Sequence, residues 1–187
     1  PLAEAGLTRI NVSIDAMDPT LFSKLTRGGR LEKVLLGIDT ARAAGLTPIK
    51  LNAVIMAEQN EHELFNLIDY ASTHAEDTEL RFIEYMPFER RLFKTLKAEH
   101  LRSRISERYT LEPIVQRAST QGPARDFRVL ETGLRLGFIS PLSEHFCASC
   151  NRLRLMADGN LRTCLAHEDT PSLRDLMRSG YTDTQLA

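Results

Sequence analysis

The chain has 187 residues, a formal net charge of −1, 42% hydrophobic residues and 26% charged residues. This length corresponds to about one domain and is enough to bury a sizeable core. The balanced charge gives no global basic field for nucleic acid, and no apolar run approaches the ~18 residues of a membrane span. No signal-peptide pattern is present at the start, and we expect a cytoplasmic protein without a nucleic-acid or membrane partner.

Strands and helices alternate along the first part of the chain. Strands are predicted over residues 9–15, 48–56 and 79–86, and helices over residues 31–44, 61–75 and 92–109. Asp18 and Pro19 are typical of a helix start, and Gly45 is typical of a helix end. The alternation predicts an α/β fold with a parallel sheet, either part of a barrel or part of a doubly wound sheet.

The pattern changes after Tyr109. Short strand-like runs follow over residues 110–116, 127–130 and 134–139, and a helix is predicted over residues 172–178. We expect an antiparallel extension here, which carries the cysteine-containing segment described below. The chain is therefore divided into residues 1–109 and residues 110–187.

Polar side chains interrupt the apolar strands. Functional groups of parallel α/β folds gather at the carboxyl ends of strands, which points to Ser13 on the first strand and Met86 at the end of the third. Core packing is the alternative for Met86, since a methionine more often fills a core than contacts a ligand. Lys50 and Asn52 share one face of the second strand. A lysine in a buried strand needs an anionic partner, although Lys50 on an exposed edge strand is the alternative.

All three cysteines lie near the C-terminal end, with the spacing C-x2-C-x13-C: Cys147, Cys150 and Cys164. A hairpin turning at Asp158 and Gly159 would return the third thiolate toward the first two. Three thiolates suit zinc or an iron–sulfur cluster better than a hard cation. The spacing alone leaves three uses open: zinc with His145 or His167 as fourth ligand, a four-iron cluster with one open iron, or a role without metal.

Two arginines lie between the second and third cysteines. On a strand, Arg152 and Arg154 would project from the same face. Two guanidinium groups beside an open metal position suggest an anionic substrate, most naturally a phosphate ester. A solvated charged face is the alternative.

These motifs resemble the MoaA-type radical-SAM GTP cyclases of molybdenum-cofactor biosynthesis. The resemblance runs in order over nearly the whole chain, and its most specific part is the three-cysteine segment with Asn-Arg-Leu-Arg. The matching segments are 10–16, 24–29, 49–52, 81–87 and 146–164.

The resemblance implies a fold and a set of ligand contacts. The fold is an incomplete radical-SAM TIM-like barrel with a C-terminal antiparallel extension. The implied contacts are a [4Fe–4S] cluster on Cys147, Cys150 and Cys164, with its free iron meeting the guanine of GTP; GTP on Lys50, Arg152, Leu153 and Arg154; and S-adenosylmethionine (SAM) on Ser13 and Met86.

The resemblance also implies a reaction. SAM is cleaved reductively to a 5′-deoxyadenosyl radical, which removes a ribose hydrogen from GTP, and the sugar carbon then attacks C8 of guanine. The cyclised GTP is the precursor of cyclic pyranopterin monophosphate, so the enzyme acts upstream of cyclic pyranopterin monophosphate synthase. The family also suggests a homodimer.

One family motif is absent from this sequence. The C-x3-C-x2-C motif, which carries a second, SAM-cleaving [4Fe–4S] cluster in the family's N-terminal region, is not present. We therefore expect the C-terminal two-thirds of an enzyme, inactive alone. Two alternatives remain: a non-catalytic metal- or nucleotide-binding module with zinc at the three cysteines, and a different radical-SAM enzyme with an auxiliary cluster, such as one that modifies peptides.

Overall fold

The computed structural model describes residues 1–87, 93–115, 123–147, 150, 152–164 and 172–186. The chain divides into two compact units, Pro1–Cys147 and Ala148–Ala187. None of the helices in the described ranges is long and apolar enough to cross a membrane.

The first unit is built on one six-stranded sheet with the order β1-β2-β3-β6-β5-β4. Its strands are β1 (Asn11–Ser13), β2 (Ile49–Ile55), β3 (Thr78–Glu84), β4 (Leu111–Pro113), β5 (Arg125–Val129) and β6 (Arg135–Ile139). Its helices are α1 (Pro19–Leu25), α2 (Leu31–Ala43), α3 (Leu64–Ser72) and α4 (Ala98–Ile105), with a 3-10 turn at Glu61–Glu63. β1, β2, β3 and β6 run parallel, whereas β5 and β4 are antiparallel additions. The predicted α/β class with a mostly parallel sheet is confirmed.

Side-chain alternation gives the sheet two different faces. In β2 and β3 every second residue is buried, beginning with Ile49 and Thr78. The buried apolar residues join residues of α1 to α4 in one hydrophobic core. The intervening positions are half-buried and mostly polar, so this second face is available for a site.

Two predicted helix boundaries follow the expected local chemistry. Asp18 accepts a hydrogen bond from the Leu21 backbone N–H at 2.6 Å, which caps α1. Gly45 follows α2 with a φ of +73°, the left-handed conformation that ends many helices. Both predictions are confirmed.

The helix predicted over residues 92–109 is too long. The observed helix α4 covers only Ala98–Ile105, and Leu92 lies outside the described residues. Thr95 instead forms an isolated antiparallel bridge with Met56, and the Ala57 N–H donates to the Lys94 carbonyl at 3.2 Å. Pairing with the chain that follows β2 therefore outweighs the helical propensity of this segment.

The second unit contains a β-hairpin and two short helices. The hairpin pairs β7 (Arg154–Leu155) with β8 (Leu161–Arg162), and the helices are α5 (Leu173–Arg178) and α6 (Asp183–Leu186). Gly159 turns the hairpin with a φ of +85°, as the sequence predicted for this position. Asn160 forms an isolated bridge with Ser172, just before α5.

Candidate functional site

The polar face of the main sheet is arranged in rows across four parallel strands. The strand register aligns Asn11, Lys50, Glu79 and Arg135 in one row. The next row along the strands consists of Ser13, Asn52, Arg81 and Gly137. Because these positions alternate with core residues, one face of the sheet carries most of the polar groups.

Glu79 is the centre of an ion-pair network on this face. Its carboxylate lies 3.5 Å from Lys50 Nζ, 3.0 Å from Arg81 Nη2 and 3.5 Å from Arg135 Nη1. Arg135 also donates to Asp126 Oδ2 at 2.5 Å. Three cations thus face two carboxylates, which leaves a surplus positive charge.

Gly137 allows this network to pack closely. A Cβ atom at Gly137 would lie 2.9 Å from Asp126 Oδ1 and 3.2 Å from Arg81 Cγ. The position therefore has room for no side chain while both neighbours keep their places.

Several polar atoms on this face are buried without a hydrogen-bond partner. In the described part of the chain these atoms are Asn52 Oδ1, Arg81 Nε and Arg135 Nε. Buried polar atoms are normally paired, and unpaired ones cost free energy.

Lys50 lies on an interior strand, between β1 and β3, and its side chain is 20% exposed. The edge-strand alternative for this residue is therefore wrong. Burial lowers the pKa of Lys50 below its usual value, the Arg81 charge lowers it further, and Glu79 opposes both effects. Lys50 is the second residue of β2, so it lies at the amino end of the strand and not at the carboxyl end that the general rule favours.

A pocket of about 430 Å³ opens beside Lys50. Its walls include the segment from Gly6 to Asn11, together with Lys50 and Arg81. Arg9, Lys50 and Arg81 make the lining cationic. The pocket chemistry suits an anionic group.

The two residues predicted to contact SAM lie toward the carboxyl ends of their strands. Ser13 is exposed and is the last residue of β1, whereas Met86 is half-buried and lies two residues beyond β3. β2 lies between β1 and β3 in the sheet, so the two residues belong to strands that are not adjacent.

A buried amide fixes the loops beyond β1 and β2. Asn60 is fully buried, accepts from the Met56 N–H at 2.8 Å, and donates to the carbonyls of Asp15 at 2.8 Å and Val54 at 2.9 Å. Asp15 accepts from the Val54 N–H at 2.8 Å, and burial raises the pKa of its carboxyl group. This network fixes the backbone beside Ser13.

A second pocket, of about 690 Å³, lies beyond the carboxyl end of β3. Glu84 is buried in its wall and accepts from the backbone N–H groups of Leu142 at 2.8 Å and Ser143 at 3.0 Å. The remaining described lining residues are Phe93, Lys94, Thr95 and Lys97. Glu84 thereby fixes the chain shortly before the first cysteine.

The three cysteines differ in exposure. Cys147 and Cys150 are exposed, and Cys164 is half-buried. Within the ranges that the structure describes, no group of three or more His, Cys, Asp or Glu side chains is placed to hold a metal ion. Support for the predicted cluster site therefore comes from the chemistry of its ligands, because three soft thiol groups fit an iron–sulfur cluster.

The arginines near the cysteines are arranged differently from the predicted strand. β7 begins at Arg154, so Arg152 precedes the strand, and Leu153 is 67% exposed. The residue directly opposite Arg154 is Arg162 on β8. The regular strand therefore pairs Arg154 with Arg162, and the expected common face for Arg152 and Arg154 stays a prediction.

Glu79 and Arg81 were not predicted as members of the polar face. The signal was available, because these two residues alternate with Leu80 and Phe82 as Lys50 and Asn52 alternate with Leu51 and Ala53. The pairing of β2 with β3 places the two polar sets side by side.

Residues 1–71 match the sequence profile of the Radical SAM superfamily, and the mostly parallel α/β fold agrees with this match. The chain belongs to the Molybdenum Cofactor Synthesis C family, whose sequence profile matches residues 78–187.

Several curated relatives are named GTP 3′,8-cyclase. The chain is 44% identical to the one from Paracoccus denitrificans over 99% of the chain and 54% of the relative. It is 45% identical to those from Nitrobacter winogradskyi and Rhodopseudomonas palustris, with 99% and 100% of the chain and 54% of each relative covered. The chain thus spans about half the length of these relatives, where the sequence predicted two-thirds.

Proposed function

We propose that this chain is part of a GTP 3′,8-cyclase that acts in molybdenum-cofactor biosynthesis. The observation that carries the proposal is the 44% identity, over 99% of the chain, to a relative with that name. The cyclase converts GTP to a 3′,8-cyclised dihydroguanosine triphosphate by SAM-dependent radical chemistry. We place it in the cytoplasm as a homodimer, upstream of cyclic pyranopterin monophosphate synthase.

We further propose that the fold is an incomplete radical-SAM TIM-like barrel with a C-terminal antiparallel extension. The polar face of the sheet supports it, because polar residues that alternate with core residues on parallel strands line the interior of such barrels. The division of the chain into residues 1–109 and 110–187 belongs to the same proposal.

Cys147, Cys150 and Cys164 would hold a [4Fe–4S] cluster. Such a cluster, when bound through three thiolates, supplies an iron with an open position for a substrate atom. The three cysteines of this chain suffice for one cluster. A SAM-cleaving cluster needs thiolates that this sequence does not contain, so we expect no SAM turnover by this chain alone.

The protein's own groups would bind and orient the two small molecules. Lys50 contributes a positive charge for GTP on a face that has a cationic surplus. Arg152, Leu153 and Arg154 contact the triphosphate region, where guanidinium groups match phosphate oxygens as paired donors. Ser13 and Met86 contact SAM.

A zinc-binding module is the second candidate function. His145 is exposed and lies two residues before Cys147, so it offers a fourth ligand of the kind that closed zinc sites use. The two functions differ in metal and in ligand, which one experiment can separate.

The test is anaerobic reconstitution of the 187-residue chain with iron and sulfide, followed by iron counting, EPR and a GTP titration. We expect about four irons per chain and an EPR spectrum that changes when GTP is added. One tightly bound zinc without iron uptake would overturn the cyclase proposal.

Two variants complete this test. Cys164→Ser should abolish the uptake of about four irons, because it removes one of the three thiolates. His145→Ala is the matched control: it should leave iron uptake unchanged, whereas a zinc site with this histidine would lose affinity. Loss of iron uptake in H145A would contradict ligation by the three cysteines alone.

A further inference from the structure

We propose that Arg162 is a further phosphate-binding residue, which acts with Arg154 as a pair of guanidinium groups across the β7–β8 hairpin. The inference rests on the proposed function, since it concerns the triphosphate of GTP. It adds a residue from the opposite strand to a contact that the sequence motif places on residues 152–154 alone.

The register of the hairpin brings the two arginines together. Arg154 and Arg162 are direct partners in the antiparallel pairing, and Leu155 pairs with Leu161 next to them. Directly opposed side chains of an antiparallel pair project from the same face, with Cβ atoms ~5 Å apart. Both arginines are half-buried residues.

Opposed like charges destabilise a strand pair unless an opposite charge compensates them. In the described residues of this unit, neither Arg154 nor Arg162 forms an ion pair or a side-chain hydrogen bond. Two described carboxylates of this unit accept other hydrogen bonds: Asp158 accepts from the Asn160 backbone and side chain at 3.0 and 2.8 Å, and Asp175 accepts from Arg174 Nε at 2.9 Å. Among the described residues of this unit, no carboxylate therefore compensates the pair.

The scaffold beneath the pair is well defined. The Met156 N–H donates to the Asn160 carbonyl at 2.9 Å, and the Asn160–Ser172 bridge connects the hairpin to the segment that begins α5. A Cβ atom at Gly159 would lie 2.4 Å from the Arg174 Cβ, so α5 packs directly on the turn. The fixed hairpin keeps the two arginines opposed without a bound ligand.

An oligophosphate is the anion that this arrangement fits best. Two guanidinium groups offer paired donors to more than one phosphate oxygen, and a polyphosphate supplies several negative charges to compensate both. A single carboxylate would compensate only one arginine. The triphosphate, and not the base or the ribose, is therefore the group that Arg162 contacts.

The test measures binding of inorganic tripolyphosphate to the chain by isothermal titration calorimetry. Arg162→Gln should weaken binding about tenfold, which corresponds to about 1.4 kcal/mol, and Arg154→Gln should do the same. Arg178→Gln is the matched control, because Arg178 is an exposed arginine of the same unit outside the hairpin. It should change the affinity less than about twofold, or about 0.4 kcal/mol.

The outcomes separate the inference from the proposed function. Tenfold weakening by R154Q with wild-type binding by R162Q would overturn the inference and leave the proposed triphosphate contact intact. Wild-type binding by both variants would overturn the inference and also the proposed contact of Arg154 with the triphosphate. Equal weakening by R162Q and R178Q would indicate general charge attraction and would also overturn the inference.

A second variant and a second readout guard against misfolding. Arg162→Lys keeps the charge but not the paired donors, so its affinity should lie between those of wild type and R162Q; identical affinity of all three proteins would contradict the inference. Without ligand, R162Q should unfold at the same or a higher temperature than wild type, because it relieves the repulsion. Tripolyphosphate should then raise the unfolding temperature of wild type more than that of R162Q, and an equal rise would count against Arg162.

Discussion

Lys50 and Glu79 occupy directly paired positions of β2 and β3, and Lys50 Nζ lies 3.5 Å from Glu79 Oε2. Lys50, which was predicted from the sequence to need an anionic partner, therefore has a carboxylate of the protein beside it. Arg81 and Arg135 share the same carboxylate, so Glu79 compensates only part of the local charge.

Replacing Glu79 with Gln should lower the pKa of Lys50 further. Burial and the Arg81 charge already lower this pKa, and Glu79 is the group that opposes them. The measurement is an NMR titration of the lysine side chain in wild type and E79Q. Glu76→Gln, at a carboxylate that is 75% exposed, is the control and should leave the titration unchanged. An unchanged or raised Lys50 pKa in E79Q would show that Glu79 does not stabilise the lysine charge.

Asn60→Ala should destabilise the first unit by roughly 3 kcal/mol, because it leaves three buried backbone groups without their partners. Asn60 is fully buried and binds the backbone of Met56, Asp15 and Val54. Urea denaturation provides the free energy of unfolding. Asn66→Ala is the matched control, since exposed Asn66 makes a single side-chain hydrogen bond, to Glu63 at 2.9 Å, and should cost less than about 1 kcal/mol. Similar losses in both variants would argue against a special role for Asn60.

Glu144 should make the first unit less stable in acid. The hydrogen bond from Arg102 lowers the pKa of Glu144 below its ordinary value of 4.5, with help from the charges of Arg102 and Arg125. A lowered carboxyl pKa contributes stability that is fully present above the unfolded value and is lost as the pH falls through the folded value. Below pH 4.5 this contribution therefore declines.

The check is urea denaturation between pH 7 and pH 3 for wild type and Glu144→Gln. E144Q should lose about 1 kcal/mol near neutral pH, a modest value because the ion pair is partly exposed. The two proteins should converge in acid. Glu107→Gln, at an exposed position on the same unit, should follow the wild-type curve. A constant difference between E144Q and wild type at all pH values would refute the linkage.

Gly159→Ala should open the β7–β8 hairpin. An alanine there would be strained by the φ of +85°, and its Cβ would lie 2.4 Å from the Arg174 Cβ. Gly180→Ala separates the two effects, because Gly180 has a φ of +86° but no neighbouring atom within 4 Å of the added Cβ. Strain alone should cost about 1 kcal/mol, and the contact about 1–3 kcal/mol more.

Hydrogen exchange of the Met156 amide measures this prediction, since that amide donates to Asn160 across the hairpin at 2.9 Å. G159A should exchange much faster than wild type, whereas G180A should remain close to it. Equal protection in all three proteins would mean that Arg174 moves aside at little cost.

Local sequence patterns correctly predicted those helices and strands whose limits depend on neighbouring residues in the sequence. The apolar periodicity of residues 31–44 gave α2, observed as Leu31–Ala43, and the strand predicted over 48–56 is observed as Ile49–Ile55. The predicted start of α4 was wrong because Thr95 pairs with Met56, a residue distant in the sequence. The parallel pairing of β6 with β3 is also long-range, and no local pattern of residues 134–139 could indicate it.

The candidate site was predictable where charge interrupts an apolar alternation. Lys50 was found in this way, and Arg81 could have been found by applying the same test to β3. The pairing of Arg154 with Arg162 was harder to predict, because it depends on the five-residue connection that fixes the register. The spatial arrangement of the three cysteines could not be predicted in this way, since their spacing in the sequence does not determine the distances between the thiol groups.

The buried Glu84 carboxylate has a consequence for the reach of the first cysteine. It holds the backbone at Leu142 and Ser143, and only four peptide steps lead from Ser143 to Cys147. An extended chain covers at most about 3.5 Å per residue, so the Cα of Cys147 lies within about 14 Å of the Cα of Ser143. Each residue inserted into this tether would lengthen its maximum span by about a quarter, so the length of the segment, and not its composition, limits where that thiol can go.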